Sequence, residues 1–491
     1  MVALWNAFVY FVNNIIWGPW LIIIILGMGV VALVSNRGFQ FRYFGHIMKE
    51  TLGKMVGGSK KANAGTEDSK GQLTPYQAIS MAIGGAVGTG NIGGVATAIA
   101  VGGPGALLWL IIAALLGMGI KMMEVSLAVY YRNKNELTGE HYGGPTYYIQ
   151  KGLGEEKNFK LWKVPAGIFA AGLLSTVIFT MTTYNVADAM SSTVGKGTLL
   201  TWGWVYSIAC FLTIITGIKG VAKMAEKLVP IMCLFYVGSG IVVILMHITA
   251  IPGAIVEVFK YAFTPVAAVG GFAGATVSVV ISTGIKRALY SNEAGWGTSP
   301  MIHASAKVEH PIKQGLWGAF EVFADTCVVC TITGLVIVVT GMWDSGMSGA
   351  ALTLAAFETT IGTVGRWVIA CSVFLFAYTT TGGWWCYNEI LLRHMLGTRE
   401  ALIKGILFVL KFIYPFAGLI VCYLVTWDPS LASGGIWVIG DLGSGIPTWM
   451  NLVCLFFLAP KFRELVKDYK ARYLGEGAVD PNFKVFYEEE K

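Results

Sequence analysis

The chain has 491 residues, 55% of them hydrophobic and 13% charged, against about 25% charged in an average soluble domain. Water is therefore not its main solvent, and a soluble enzyme or binding module is excluded. The net charge of +7 would suit a nucleic-acid or acidic partner, but the lysines and arginines gather in alternate loops between apolar stretches, so the surplus reports topology.

A bilayer core about 30 Å thick needs about 20 apolar residues per helical span. Such stretches are expected at Trp17–Val34, Gln77–Val101, Gly105–Tyr130, Val164–Met190, Leu199–Ile218 and Leu228–Ile248. A second set follows at Gly270–Pro300, Leu316–Thr340, Arg366–Trp385, Ile406–Val425 and Ile436–Leu458. That makes about eleven transmembrane helices in an all-α polytopic membrane protein. The first stretch lacks the basic start and cleavage site of a signal peptide and reads as a retained helix.

The loop Arg37–Gly71 carries Arg37, Arg42, Lys49, Lys54, Lys60, Lys61 and Lys70, which assigns it to the cytoplasm. Every second loop after it is also basic, as is the tail from Lys461, whereas Gly341–Gly365 holds Asp344 and Glu358 but no lysine or arginine. The N-terminus is expected outside and the C-terminus inside. All eight cysteines lie in or beside apolar segments, as buried thiols rather than a disulfide framework.

Two spans are interrupted by small residues, Gly84-Gly85-Ala86-Val87-Gly88-Thr89-Gly90-Asn91-Ile92-Gly93-Gly94 and Gly270-Gly271-Phe272-Ala273-Gly274-Ala275-Thr276. Four intact spans separate them. With the first helix set aside, each interrupted span opens a group of five, and five being odd, the groups run through the membrane in opposite senses. An inverted repeat of this kind points to a secondary transporter. The expected division is 1–76 for the first helix and basic loop, 77–250 and 251–460 for the two five-helix repeats, and 461–491 for a cytoplasmic tail.

Non-helical backbone survives at membrane depth only where it faces protein or a water-filled cavity. An unwound glycine run frees amides that attract a carboxylate and carbonyls that attract a cation. The competing reading is that glycines four apart, such as Gly84 and Gly88, simply let helices approach closely. The run also matches a dinucleotide fingerprint, but the preceding strand, the βαβ unit and the later acidic residue are missing. There is no P-loop, no H-E-x-x-H metal spacing and no catalytic constellation.

Later, Phe376-Ala377-Tyr378-Thr379-Thr380-Thr381-Gly382-Gly383-Trp384-Trp385 concentrates hydroxyls and aromatics in one span. Threonine hydroxyls ligate a small hard cation or return to their own helix backbone. Among ionisable residues inside spans, Glu124 sits one turn from Lys121 as an expected structural pair. Glu321 and Asp325 share a helix face, to relay protons or to pair with Lys286 and Arg287.

In Val87-Gly88-Thr89-Gly90-Asn91-Ile92, Gly102-Gly103-Pro104-Gly105, Gly143-Gly144-Pro145, Ser291-Asn292-Glu293-Ala294-Gly295, His310-Pro311 and Phe376-Ala377 through Trp384, the chain resembles the alanine or glycine:cation symporters of prokaryotes. The resemblance implies sodium-coupled import of a small neutral amino acid by alternating access in a bacterial or archaeal cell membrane. It also implies the inverted-repeat fold of the bacterial leucine transporter, with no cofactor and no nucleic-acid partner. Carried over residue by residue, amides near Thr89 and Gly90 would take the substrate carboxylate. Carbonyls of Gly84 and Val87 with hydroxyls of Thr379 and Thr380 would hold sodium. Asn91 would support the substrate or a second ion, and Phe272, Thr276, Thr380 and Trp384 would line a small pocket. Gly93 and the hydroxyl-rich Tyr378–Thr381 depart from the family pattern. A proton-coupled symporter using Asp325 or Glu321, and a channel, are the alternatives.

Overall fold

The computed structural model describes residues 2–56, 73–134, 139–178, 181–195, 197–428 and 437–488. Lys60, Lys61 and Lys70 of the basic loop, and Ile436 at the start of the last expected span, lie outside the described residues.

Backbone groups in hydrocarbon must be satisfied within their own segment, and the chain is accordingly helical. In order come α1 (Asn6–Ser35), α2 (Pro75–Ala86), α3 (Val95–Gly102), α4 (Ala106–Tyr130), α5 (Lys163–Ile178), α6 (Thr182–Val194), α7 (Leu199–Ile214) and α8 (Gly217–Met246). After the short α9 (Ile251–Phe263) follow α10 (Val277–Asn292), α11 (Ser299–His303), α12 (Pro311–Val339), α13 (Gly349–Leu396, broken by a kink at Ile361 and Gly362), α14 (Glu400–Trp427) and α15 (Gly440–Leu474). A two-residue ladder pairs Asn133–Lys134 with His141–Tyr142.

Among the described residues, eight helices are long and apolar enough to cross a membrane, nine if α2 and α3 count as one bent span. Two further expected spans fall on α7 and α10, of 16 residues each, shorter than the about 20 residues of a full crossing. Length alone therefore does not reach eleven. Ile231, Leu234, Phe408 and Trp427 are more than half exposed, an apolar surface suited to lipid rather than water. All eight cysteines are free thiols.

The hub is α4, every residue of which is buried from Gly117 to Tyr130. It lies against α12 at the glycines Gly315 and Gly318, where an added Cβ would stand 2.4 Å from Ser126 Oγ and 2.8 Å from Val125 Cγ2. Without a hydrophobic drive between helices in lipid, such close approach supplies the packing energy. A tail segment covers the C-terminal end of α4: Tyr487 N–H donates to Tyr130 O at 3.0 Å, and Glu488 pairs with Lys151 at 2.7 Å.

The ionisable residues inside spans pair differently from expectation. Glu321 meets Lys121 at 3.7 Å and His303 at 3.0 Å, not Lys286 or Arg287. Glu124 accepts from Gly295 N–H at 3.1 Å and from the Asn451 amide at 2.5 Å, and Lys121 acts on it electrostatically without an ion-pair contact. The α4–α12 glycine seam brings Lys121 against α12, a contact invisible to spacing within one helix.

Candidate functional site

The first break begins where α2 stops. Thr74 and Gln77 form a capping box at its start, and at its end Val87 turns to an extended conformation with ψ 93°. A π turn over Gly90–Gly94 then leads into α3, and the two halves are bent by 46°. The Asn91 side chain holds the turn by accepting Gly88 N–H at 2.8 Å. Among the described residues, the amides of Thr89 and Gly90 make no backbone hydrogen bond, which leaves them open to an anionic group.

The freed carbonyls meet α13. Thr380 Oγ1 lies 3.1 Å from Gly84 O and 3.5 Å from Val87 O. Thr379 Oγ1 instead donates within its own helix, to Phe376 O at 2.9 Å. One residue is 100° of helix rotation, so the neighbouring hydroxyls serve different partners. The structure thus brings Gly84, Val87 and Thr380 together and leaves the Thr379 hydroxyl beside them, turned to its own backbone.

The second break is not at Gly270–Thr276. That glycine run is a loop before α10, closed by bridges between Val266 and Ala275 and between Val269 and Phe272. Gly270 and Gly274 take positive φ there, and Thr276 caps α10 by accepting Val279 N–H. Phe272 packs edge-on against Trp343, centroids 5.6 Å apart. Phe272 and Thr276 therefore do not wall the pocket; their glycines serve tight turns. The break lies between α10 and α11, where Glu293 (φ 54°), Gly295 and Gly297 turn left-handed. The Asn292 side chain accepts Ala294 N–H at 2.9 Å.

Between the breaks lies a cavity of about 90 Å³, lined by Thr89, Gly90, Asn185, Tyr290, Glu293, Trp296, Thr380 and Trp384 among others. Trp296 and Trp384 stand edge to face, 4.9 Å apart. Asn91 does not line it: the residue is fully buried and donates to Asp325 Oδ1 at 2.6 Å. A second cavity of about 410 Å³ shares Thr89, Gly90, Asn185 and Tyr290 and adds Asp188 and Arg287. Asn185 donates to Thr89 Oγ1 at 3.2 Å where the two adjoin. Sequence reasoning did not assign Asn185, Tyr290, Glu293 or Trp296 to the site; the stretch Ser291–Gly295 was the signal for Glu293.

A broken helix facing a second break across a cavity is the architecture of a transporter. The sodium:alanine symporter family profile matches residues 1–484. The chain belongs to that family. The symporter is 35% identical over 472 residues to the uncharacterized transporter YflA of Bacillus subtilis, covering 93% of this chain and 92% of that one. It is 34% identical over 452 residues to the sodium/alanine symporter AgcS of Methanococcus maripaludis, covering 91% and 93%. Among solved structures, MhsT in complex with L-phenylalanine superposes with a TM-score of 0.55 at 14% identity, over 81% of this chain and 99% of that one. The fold is thus the leucine-transporter-like inverted repeat. The chain is a multi-pass amino-acid:cation symporter and not an enzyme.

Proposed function

We propose that this symporter imports alanine or glycine with sodium by alternating access, with its N-terminus outside and its tail in the cytoplasm. The observation that carries the reading is the seam in which Thr380 Oγ1 lies 3.1 Å from Gly84 O and 3.5 Å from Val87 O. Three oxygens from α2, the first break and α13 converge there, and a hard cation prefers oxygen ligands. Thr379 joins them if its hydroxyl leaves Phe376 O. Because the ligands come from two helices, a bound ion draws them together, and that linkage gives sodium and substrate a reciprocal coupling free energy.

The substrate side rests on the Thr89 and Gly90 amides, which take a carboxylate, with Asn91 holding the turn that presents them. Trp384 and Trp296 leave a cavity of about 90 Å³, well below the about 300 Å³ at which drug-sized pockets begin. A two- or three-carbon amino acid fits that limit best. AgcS, named for sodium and alanine, agrees with this choice.

The test is uptake of labelled glycine, L-alanine, D-alanine and serine into proteoliposomes with an inward sodium or choline gradient at fixed pH. Concentrative uptake of alanine or glycine only with sodium is expected. Undiminished uptake in choline overturns sodium coupling and favours protons carried by Asp325 or Glu321; flux that never concentrates substrate favours a channel.

A further inference from the structure

We infer that Glu293 is the specificity residue for the substrate ammonium; the inference rests on an amino-acid substrate for the cavity between the breaks. Among the described residues, it is the one carboxylate that lines this cavity. The break opposite supplies the open amides of Thr89 and Gly90, so one wall attracts a carboxylate and the other presents one. A zwitterion is the solute that satisfies both walls.

The Glu293 side chain is held for such a task. Its Oε1 accepts from Trp384 Nε1 at 3.1 Å and its Oε2 accepts the Thr298 hydroxyl. A carboxylate has about four acceptor positions, and two remain after these bonds. Lys121, the nearby cation, bonds the Glu293 main-chain carbonyl at 3.0 Å. Among the described residues, no lysine, arginine or histidine pairs with the Glu293 carboxylate, although the residue is only 3% exposed.

Lys121 Nζ is taken up by the Glu293 main-chain carbonyl, Ser299 and Glu321 and acts on the Glu293 carboxylate only from beyond contact distance, so burial still disfavours the charge until a cation touches it. The backbone adds to that cost, since Glu293 takes φ 54°, a region that strains residues other than glycine. The bonds from Trp384 and Thr298 hold the side chain at the cavity wall, where an arriving ammonium relieves the electrostatic cost. Of the neighbouring buried carboxylates, Glu321 has Lys121 and His303, and Asp325 has three hydrogen-bond donors. Neither lines the cavity.

The experiment measures equilibrium binding of L-alanine and of propionate, which is alanine without its ammonium, to purified wild type, E293Q, E293D and W384F in sodium. Wild type is expected to prefer alanine strongly. E293Q should lose alanine affinity by at least about tenfold, the size expected for one hydrogen bond to a charged group, with propionate affinity unchanged or improved. E293D should recover part of the preference. W384F keeps the carboxylate and should keep the preference even where its affinity falls. If E293Q is unfolded, E293D decides the matter: withdrawing the carboxylate by one methylene should cut the preference for alanine over propionate without abolishing it, and a preference equal to that of wild type overturns the role of Glu293. Alanine affinity in folded E293Q within about twofold of wild type, or propionate binding to wild type as well as alanine does, overturns the role of Glu293. Should wild type bind neither alanine nor glycine, the substrate identity falls instead, and the same ratio is read with the amino acid that does bind and its deaminated analogue.

Discussion

The Asn91 carboxamide bridges Gly88 and Asp325: its oxygen accepts Gly88 N–H at 2.8 Å, and its nitrogen donates to Asp325 Oδ1 at 2.6 Å. Asp325 Oδ2 accepts in turn from Ser291 at 2.8 Å and from Thr326 at 2.6 Å. One carboxylate on α12 thereby fixes the turn of the first break and the last residues of α10 before the second. Thr333 and Thr353 add bonds to Asn91 O at 2.8 Å and Ile92 O at 3.1 Å. Neither break can shift without releasing a buried polar group, so movement of the two is linked.

Asn91→Ala is therefore expected to cost stability as well as transport. It strands the Gly88 amide and removes one donor from Asp325, a loss of about 2 kcal/mol for hydrogen bonds of this type. Because D325N disturbs the same network, the double variant should lose less than the sum of the two single losses. Thermal melting of the four purified proteins in detergent measures this, and strict additivity refutes the linkage.

Thr380→Ala should raise the sodium concentration for half-maximal uptake by about tenfold, the equivalent of one lost ligand oxygen at 1.4 kcal/mol. Thr380→Ser keeps the hydroxyl and should retain most sodium affinity. Thr379→Val removes a hydroxyl that is bonded to Phe376 O, so its effect should be the smaller. Uptake rates over a sodium titration rank the three, and equal effects of T379V and T380A would dissolve the distinction between them.

The first break was legible because Gly84–Gly94 denies the backbone both helix propensity and side-chain cover within one span. Thr380 followed from the resemblance, but Thr379 did not separate from it, since only the helix phase decides which hydroxyl crosses to α2. The second break was misplaced for a physical reason. Glycines mark positive φ wherever it occurs, and those at Gly270 and Gly274 serve a loop outside the span. The true break relies on Glu293 in a conformation rare for its residue type, which composition does not reveal. Lys121 and Glu321 lie on different helices, beyond the reach of any periodicity.

Gly88 is a steric requirement of the same seam. A Cβ there would lie 2.7 Å from Thr380 Oγ1, so Gly88→Ala must push Thr380 away from Gly84 O. Sodium-driven uptake in G88A should fall at least as far as in T380A. Gly94→Ala is the contrast, its Cβ meeting nothing nearer than Arg287 Cδ at 3.8 Å, and it should transport near the wild-type rate. Initial uptake rates normalised to protein in the membrane test both; robust transport by G88A would mean that the seam is not required.

The last prediction concerns pH and His310, which precedes α12. Its Nδ1 accepts Ile312 N–H at 3.1 Å, and its Nε2 lies 3.2 Å from Asp468 Oδ2 on α15. This is the arrangement of a neutral ring, with Nδ1 as acceptor and Nε2–H as donor. Burial pushes the imidazole down from 6.5 to about 4, against the pull of Asp468 and with smaller help from Arg472 and Lys313. The folded pKa lies below the unfolded one, so between the two the unfolded chain binds the extra proton. The stabilisation, about 3 kcal/mol at most for such a shift, is complete above pH 6.5 and is lost as pH falls toward 4. Protonation would also forfeit the cap on Ile312. His310→Asn supplies a cap that does not titrate. Wild type should therefore lose more of its melting temperature than H310N between pH 7 and pH 4.5, and parallel losses would remove His310 as the titrating group.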